Sequence, residues 1–164
     1  MTYKDFIRIF DLHVSTLEYR QQFELCISIC KTLFSDYKDF CQENSWGDLD
    51  ILIDAIQFCE LYNDGKITSI ESLKETLLKV EAITPDTDDF EMASYALNAC
   101  TAVSETLEFL MDNNRRHVLN VGSFFTDTID ARIQENVGLN ETQINKHPAM
   151  IEARNFLLAT GDKL

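Results

Sequence analysis

Residues that mark turns are scarce in this sequence. The chain has 164 residues but only 5 glycines and 2 prolines, where average usage would give about 20 of these residues. A β-sheet needs a turn after every short strand, whereas a few long helices need far fewer turns. The scarcity therefore argues against a multi-stranded sheet and favours an α-helical fold.

Long uninterrupted hydrophobic segments are also missing. No stretch approaches the roughly 18 consecutive apolar residues of a transmembrane helix, and charged side chains interrupt the first twelve positions, where a secretion signal would be apolar. The five cysteines are odd in number and fall at apolar positions of helical patterns, as reduced thiols do. We therefore expect a cytoplasmic protein with no membrane association and no disulfide framework.

Positive charge is in short supply. Lysine and arginine number 14 against 28 aspartates and glutamates, which gives a formal net charge of −14. Nucleic-acid binding draws its affinity from basic side chains that displace counterions from phosphates, so we expect no direct binding to DNA or RNA. The same acidic surface would attract a basic protein, although solubility is the more common reason for such a charge.

Apolar residues recur at helical spacing along most of the chain, and capping residues mark where helices begin. The pattern predicts an all-α, single-domain bundle of about seven or eight helices that spans residues 1–164. Predicted helical segments include 3–12, 16–33, 35–41, 48–59, 68–80, 88–112 and 117–137. Further along, Asn140 and Pro148 each suit the start of a short helix.

The segment 88–112 has the broadest apolar surface of any predicted helix. One stripe along it includes Leu97 and Leu107, and a second stripe of small and apolar residues lies beside the first. Only a narrow polar strip remains, so most of the circumference must pack against other helices. We predict that this is the central helix, and that Leu97→Asp would unfold the domain by burying an unpaired charge.

Acidic side chains form the most suggestive candidate site. Asp127 and Asp130 share one face of the predicted helix 117–137, and Glu105 projects from the polar strip of the central helix. Converging carboxylate oxygens bind hard cations, so these three residues are the predicted metal or small-ligand site. Acids at helix starts, by contrast, are explained by capping and by the helix dipole.

Other motifs for catalysis or for a cofactor are missing from the sequence. His13, His117 and His147 are isolated from any activated serine or cysteine, and His117 is expected to cap a helix or to pack. Cys26 and Cys30 share a helix face, but further ligands for a metal cluster do not follow. No glycine-rich phosphate loop is present. The sequence assigns no cofactor and does not favour an enzyme.

Four short segments occur in an order that is typical of one protein family. They are residues 37–42, 46–48, 85–90 and 98–105. Through them the chain resembles the YjaG-like family, a bacterial domain of unknown function with the number 416, over about residues 10 to 160. The resemblance implies an all-helical fold and a bacterial cytoplasm, and it implies no activity. Because other members extend further at the C-terminus, it also implies that Leu164 ends a shortened last helix.

These observations leave three hypotheses for the function. The first is a non-enzymatic helical module that binds another protein or itself, which agrees with the missing catalytic motifs. The second is a metal or small-ligand site formed by Glu105, Asp127 and Asp130, with a catalytic role as a further alternative. The third is that the acidic surface binds a basic protein partner. Asn98, where some members of the family have an acid, counts against an essential pair of carboxylates on the central helix.

Overall fold

The computed structural model describes residues 1–159, and the regular structure in that part of the chain is entirely α-helical. The eight helices are α1 (Tyr3–Thr16), α2 (Tyr19–Asn44), α3 (Leu49–Asn63), α4 (Ile70–Ile83), α5 (Ser94–Asp112), α6 (Arg115–Gln134), α7 (Glu141–Lys146) and α8 (Pro148–Ala159). The predicted all-α multi-helix bundle is therefore confirmed. A domain that spans 1–164 and a last helix shortened at Leu164 stay predictions, because residues 160–164 lie outside the described residues.

Side-chain caps set the starts of several helices. Asp48 accepts hydrogen bonds from two backbone N–H groups in the first turn of α3, and Gly47 before it adopts the left-handed region at φ 88°. Asn140 and Gln143 form a reciprocal capping box at the start of α7. Pro148 is the first residue of α8, where its missing N–H is not needed. These three starts agree with the sequence pattern.

The second helix is longer than its pattern predicts. Separate helices at 16–33 and 35–41 are expected, but α2 runs without a break through both segments. Leu33, Tyr37 and Phe40 are buried at helical spacing across the expected boundary. Continuous burial of one face therefore overrides the capping preference of the serine at position 35.

The boundary between α1 and α2 also differs from the prediction. The Ser15 and Thr16 hydroxyls donate hydrogen bonds to carbonyls in the last turn of α1, so they close α1 instead of opening α2. Glu18 and Gln21 form the capping box of α2. A serine or threonine can satisfy either end of a helix, which is why the local pattern places this boundary wrongly.

The central helix begins at Ser94, later than the predicted position near residue 88. Before it, the chain makes turns in which Met92 has a positive φ of 58°, a conformation that an α-helix cannot contain. No residue from Tyr95 to Met111 is exposed, and α2, α3, α4 and α6 pack against this helix. The prediction that it forms the centre of the bundle is confirmed.

The two faces of α5 are not equally enclosed. Val103 and Leu107 are fully buried, but Leu97 is half-buried and lines a surface groove with Thr101 and Ser104. An aspartate at position 97 could reach solvent through this groove. The prediction that Leu97→Asp unfolds the domain therefore loses its basis, and Leu107 is the better probe of the core.

A glycine allows α1 to lie close against α6. A Cβ atom at Gly122 would lie 2.4 Å from Cε1 of Phe10, which is too short for a non-bonded carbon contact. The Phe10 ring is itself buried and stacks on Phe6. This contact brings the start of α1 beside the second half of α6, where a cavity opens.

Across the described residues, no helix has both the length and the apolar character needed to cross a lipid bilayer.

Candidate functional site

A cavity of about 530 Å³ lies between the second half of α6, α7, α8 and the start of α1. Its polar lining contains two of the residues predicted from the sequence, Asp127 and Asp130, together with Glu141 and Arg154. The remaining lining residues are Tyr3, Thr126, Gln134, Leu139, Ile144, Asn145 and Met150. The volume falls in the range of about 300 to 1,000 Å³ that is usual for small-molecule sites.

The cavity exists because two short helices fold back over the end of α6. The capping box at Asn140 starts α7 a few residues after α6 ends. At the next junction, the ring Nδ1 of His147 accepts a hydrogen bond from the backbone N–H of Ala149 at 3.1 Å. This bond stabilises the tight transition from α7 into α8, and α8 then carries Arg154 into the wall of the cavity.

Arg154 is a buried cation, with only 6% of its surface exposed. Its Nη1 donates to the carbonyl of Met1 at 3.2 Å and its Nη2 to Oδ1 of Asn145 at 2.7 Å. The guanidinium also lies over the Phe6 ring, 5.1 Å from its centre. Within residues 1–159, its Nε has no hydrogen-bond partner and no carboxylate pairs with it. Burial lowers the pKa of the guanidinium, but an arginine remains charged at neutral pH.

Asp127 and Asp130 lie one helical turn apart in the same cavity. The side-chain amide of Gln134 donates to Oδ1 of Asp130 at 2.7 Å. Asp127 lines the cavity and its side chain is exposed, while partial desolvation and then the neighbouring Asp130 raise the pKa of its carboxyl. Both effects disfavour the charged form of Asp127. A cation bound between the two carboxylates would stabilise that form and offset both effects.

Glu105 lies elsewhere. Its Oε2 is 2.6 Å from Nδ1 of His117 and accepts a hydrogen bond from Nδ2 of Asn120 at 3.2 Å. His117 is in the first turn of α6, whereas Asp127 follows ten residues later, about 15 Å further along the helix. The structure thus brings Asp127 and Asp130 together and places Glu105 in a different cluster. Whether any of the three residues binds a ligand stays a prediction.

His117 and Arg154, the histidine and the buried cation of these clusters, are among the residues that the predicted site does not include. A signal for His117 exists in the sequence, because Glu105, Glu108 and Asp112 share one helix face and the histidine follows after a short turn. Arg154 lies in α8 beside two other polar residues, Glu152 and Asn155, and this local sequence does not distinguish a buried arginine from an exposed one.

A second buried charge shows what a paired arginine looks like in this protein. Asp36 on α2 is buried and forms an ion pair with Arg132 on α6, whose guanidinium lies over the Tyr95 ring at 5.2 Å. Burial raises the pKa of the Asp36 carboxyl, although the arginine partly offsets that effect. The Tyr95 hydroxyl donates a hydrogen bond to Glu135. This network connects α2, α5 and α6. In the part of the chain that the structure describes, Arg154 has no comparable ion pair with a carboxylate.

The described residues form an acidic all-helical bundle, and the cavity beside Arg154 is lined by side chains of both charges. The sequence model of the family described as "Protein of unknown function (DUF416)" matches residues 10–162. The chain belongs to this family, as its resemblance to YjaG-like proteins implied.

Known relatives support this assignment. Uncharacterized protein YjaG of Escherichia coli (strain K12) is 24% identical over 147 residues, which cover 85% of this chain and 73% of the relative. YjaG of Salmonella typhimurium (strain LT2) is 23% identical with the same coverage. A crystal structure of a DUF416 family protein from Shewanella baltica OS155 aligns with a TM-score of 0.78 at 20% identity, covering 93% of this chain and 83% of that one. At this identity, the structural match shows the fold alone.

Proposed function

We propose that this protein binds a small amine-bearing molecule in the cavity beside Asp127, Asp130 and Arg154. The observation that carries the proposal is a buried guanidinium that, within residues 1–159, has an Nε without a hydrogen-bond partner and no carboxylate at ion-pair distance, in the same cavity as two aspartates one helical turn apart. Buried charged groups are costly unless something pairs with them. A ligand that carries both kinds of charge would satisfy both sides of this cavity.

The charges of the cavity define the class of ligand. Asp127, Asp130 and Glu141 contribute three carboxylates against the single guanidinium of Arg154, so the lining has an excess of negative charge. One or more amines would pair with the carboxylates, and a carboxylate on the ligand would pair with Arg154.

The apolar part of the lining, which includes Leu139, Ile144 and Met150, would contact an aliphatic chain. A basic amino acid such as lysine has all three features.

Binding is tested by thermal unfolding with a panel of three compounds. Lysine, which carries two amines and a carboxylate, is expected to raise the melting temperature most, and the diamine putrescine less. Glutamate carries two carboxylates and only one amine, so it is expected to leave the melting temperature unchanged. At a hundred times Kd, a ligand stabilises the native state by about 2.7 kcal/mol, which corresponds to roughly 5 to 10 °C for a domain of this size.

Variants assign the effect to the cavity. The pair Asp127→Asn with Asp130→Asn should abolish the shift produced by both amines. The control pair Asp54→Asn with Glu75→Gln makes the same change in net charge at exposed positions outside the cavity and should keep the shift. Arg154→Gln should reduce the preference for lysine over putrescine about tenfold, as expected when one charged hydrogen bond is lost. The proposal fails if no amine stabilises the protein, or if both double variants respond alike.

Two wider predictions from the sequence remain proposals. A cytoplasmic location is supported by the five cysteines, none of which forms a disulfide and four of which are buried. Binding to a protein partner, or self-association, has less support than the cavity. The large exposed apolar side chains, such as Leu12, Leu78 and Ile151, belong to different helices, whereas the cavity gathers its polar groups in one place.

A further inference from the structure

We propose that Glu105, Glu108 and His117 bind one divalent transition-metal ion, with Zn²⁺ as the best-matched probe. These residues form a second cluster, at the turn between α5 and α6. One carboxylate oxygen from each glutamate and one ring nitrogen of the histidine all lie within 4.8 Å of one another. Two carboxylates and an imidazole are a ligand set that suits Zn²⁺ and similar ions better than Mg²⁺ or Ca²⁺.

The distances in the cluster are close to those of a bound ion. Zinc bonds to histidine nitrogen and carboxylate oxygen are about 2.0 to 2.2 Å long, so two tetrahedral ligand atoms lie about 3.4 Å apart. Oε2 of Glu108 is 3.4 Å from Nδ1 of His117. Oε2 of Glu105 is closer, at 2.6 Å from the same nitrogen. Binding would therefore require Glu105 to move back by less than one ångström, which a side-chain rotation provides.

The other ring nitrogen of His117 is already oriented for this role. Its Nε2 is 2.9 Å from Oδ2 of Asp112. With the proton on Nε2, the ring donates to Asp112 and presents the lone pair of Nδ1 to the two glutamates. Histidines that bind metals almost always donate their second ring N–H to a carboxylate or carbonyl in this way. Asp112 is therefore a positioning residue, and Asn120 has the same role towards Glu105 through its hydrogen bond.

An alternative structural role accounts for only part of the cluster. A protonated His117 could donate one N–H to Glu105 and the other to Asp112, which would clamp the turn without a metal. In that arrangement Glu108 receives no hydrogen bond, because the single N–H on Nδ1 is donated to Glu105, and only an ion-pair contact of 3.4 Å remains for Glu108. Glu108 also adds negative charge to a group that already contains Glu105 and Asp112 against one imidazole. A divalent cation accounts for Glu108 and offsets that excess charge.

The scaffold holds the cluster in place while leaving it open to solvent. Glu105 and Glu108 lie one turn apart on α5. The link to α6 is short and well defined, because Asn113 ends α5 in the left-handed region and the Asn114 side chain caps α6. The side chains of His117 and Glu105 are 14% and 21% exposed. Three protein ligands with solvent access leave a fourth position for water, as in zinc sites that are not closed by a fourth residue.

The test is a titration of chelator-treated protein with Zn²⁺, followed by calorimetry and thermal unfolding. We expect one ion per chain at micromolar concentration and a melting temperature raised by several degrees. Mg²⁺ should give neither effect. Co²⁺ in place of Zn²⁺ should give visible absorption bands without the near-ultraviolet band of a thiolate ligand, which separates this site from binding by cysteine.

Four variants distinguish a metal site from a structural clamp. Glu108→Gln and His117→Gln should each weaken Zn²⁺ binding by more than about tenfold, whereas Asp112→Asn should weaken it by about tenfold through the orientation of the ring. Cys41→Ser, at the least buried cysteine, is the matched control and should bind as the native protein does. Glu108 is partly exposed, so its variant should remain folded, which circular dichroism checks. If Zn²⁺ does not bind below millimolar concentration, or binds equally after Glu108→Gln, the proposal is wrong.

Discussion

The two ends of α6 hold their charged groups in different ways. At its start, both ring nitrogens of His117 lie within hydrogen-bond distance of carboxylates, from Glu105 and Asp112. Near its other end, the buried guanidinium of Arg154 faces a cavity and, within the described residues, has no carboxylate partner. At the start of α6 the imidazole ring has carboxylate partners from the chain, whereas, within residues 1–159, no carboxylate lies within ion-pair distance of the Arg154 guanidinium.

This difference means that the imidazole of His117 has hydrogen-bond partners even without a bound ion, whereas the guanidinium of Arg154 gains a charged partner only from a ligand. A buried polar group left without a partner costs about 1 to 3 kcal/mol, so a folded protein that keeps one gives up stability at that place. The ion pair of Asp36 with Arg132 shows that this fold can pair an arginine when only structure requires it. Arg154 is therefore the stronger indication of a binding function.

The largest effect is expected from a substitution in the core of α5, the helix that packs against α6. Leu107 is fully buried, so Leu107→Asp should cost more than about 4 kcal/mol and unfold the domain. Binding of amines and of Zn²⁺ would then be lost together. Leu97→Asp, in the half-buried groove, should cost less than about 2 kcal/mol. Circular dichroism and thermal melting measure both variants, and a native-like melt of Leu107→Asp would contradict the assigned packing of α5.

A smaller effect is expected at Gly122, midway between the two ends. Gly122→Ala places a methyl group against the buried Phe10 ring and should destabilise the native state by about 2 kcal/mol through overpacking. Gly138→Ala is the matched control, because a Cβ there meets nothing within 4 Å, and it should stay within about 0.5 kcal/mol of the native protein. Urea unfolding measures both values. Equal losses would show that the α1–α6 contact is looser than the structure indicates.

The smallest effects are expected at one aspartate near each end of α6, Asp112 and Asp127. Both are measured in chelator-treated protein. Slight burial raises the pKa of Asp112, but hydrogen bonds with His117 and the Asn114 N–H outweigh it, so this pKa is lowered. Burial and Asp130 raise the pKa of Asp127. Asp112→Asn should therefore destabilise the protein at pH 7, and Asp127→Asn should stabilise it. Because both side chains are largely exposed, each change should be about 0.5 kcal/mol or less.

The pH dependence of these two variants follows from the direction of each shift. The stability that Asp112 contributes is present above its ordinary pKa of 3.8 and is lost as pH falls through the lower folded value. The cost of ionising Asp127 appears as pH rises above 3.8 and is complete once pH exceeds the raised folded value. Both variants should therefore converge on the native protein in acid. Denaturant unfolding between pH 3 and pH 7 checks this, and shifts of the same sign at pH 7 would contradict it.

Local signals in the sequence predict much of the fold. The caps at Asp48 and Asn140 and the proline at 148 mark helix starts correctly, because capping depends on residues within one turn. The central position of α5 follows from its nearly continuous apolar surface. Local signals do not predict that α2 continues through the serine at position 35. Burial against other helices decides whether a serine at such a position ends the helix.

The candidate sites depend on contacts that sequence spacing does not contain. Arg154 reaches the carbonyl of Met1, 153 positions away in the chain, and no local pattern indicates that approach. Asp127 and Asp130 share a cavity because they share a helix face, which periodicity does predict. Pairing Glu105 with them assumes that α5 and α6 lie in a register that the short turn at Asn113 does not allow.

The enclosure of α5 also determines how its backbone exchanges hydrogen with solvent. Its amides are covered by four other helices, so those of Val103 and Leu107 can exchange for deuterium only when the whole bundle opens. The slowest exchange rates in the protein therefore measure the free energy of global unfolding. Rates in the short helix α7 instead measure local opening of the wall beside Arg154.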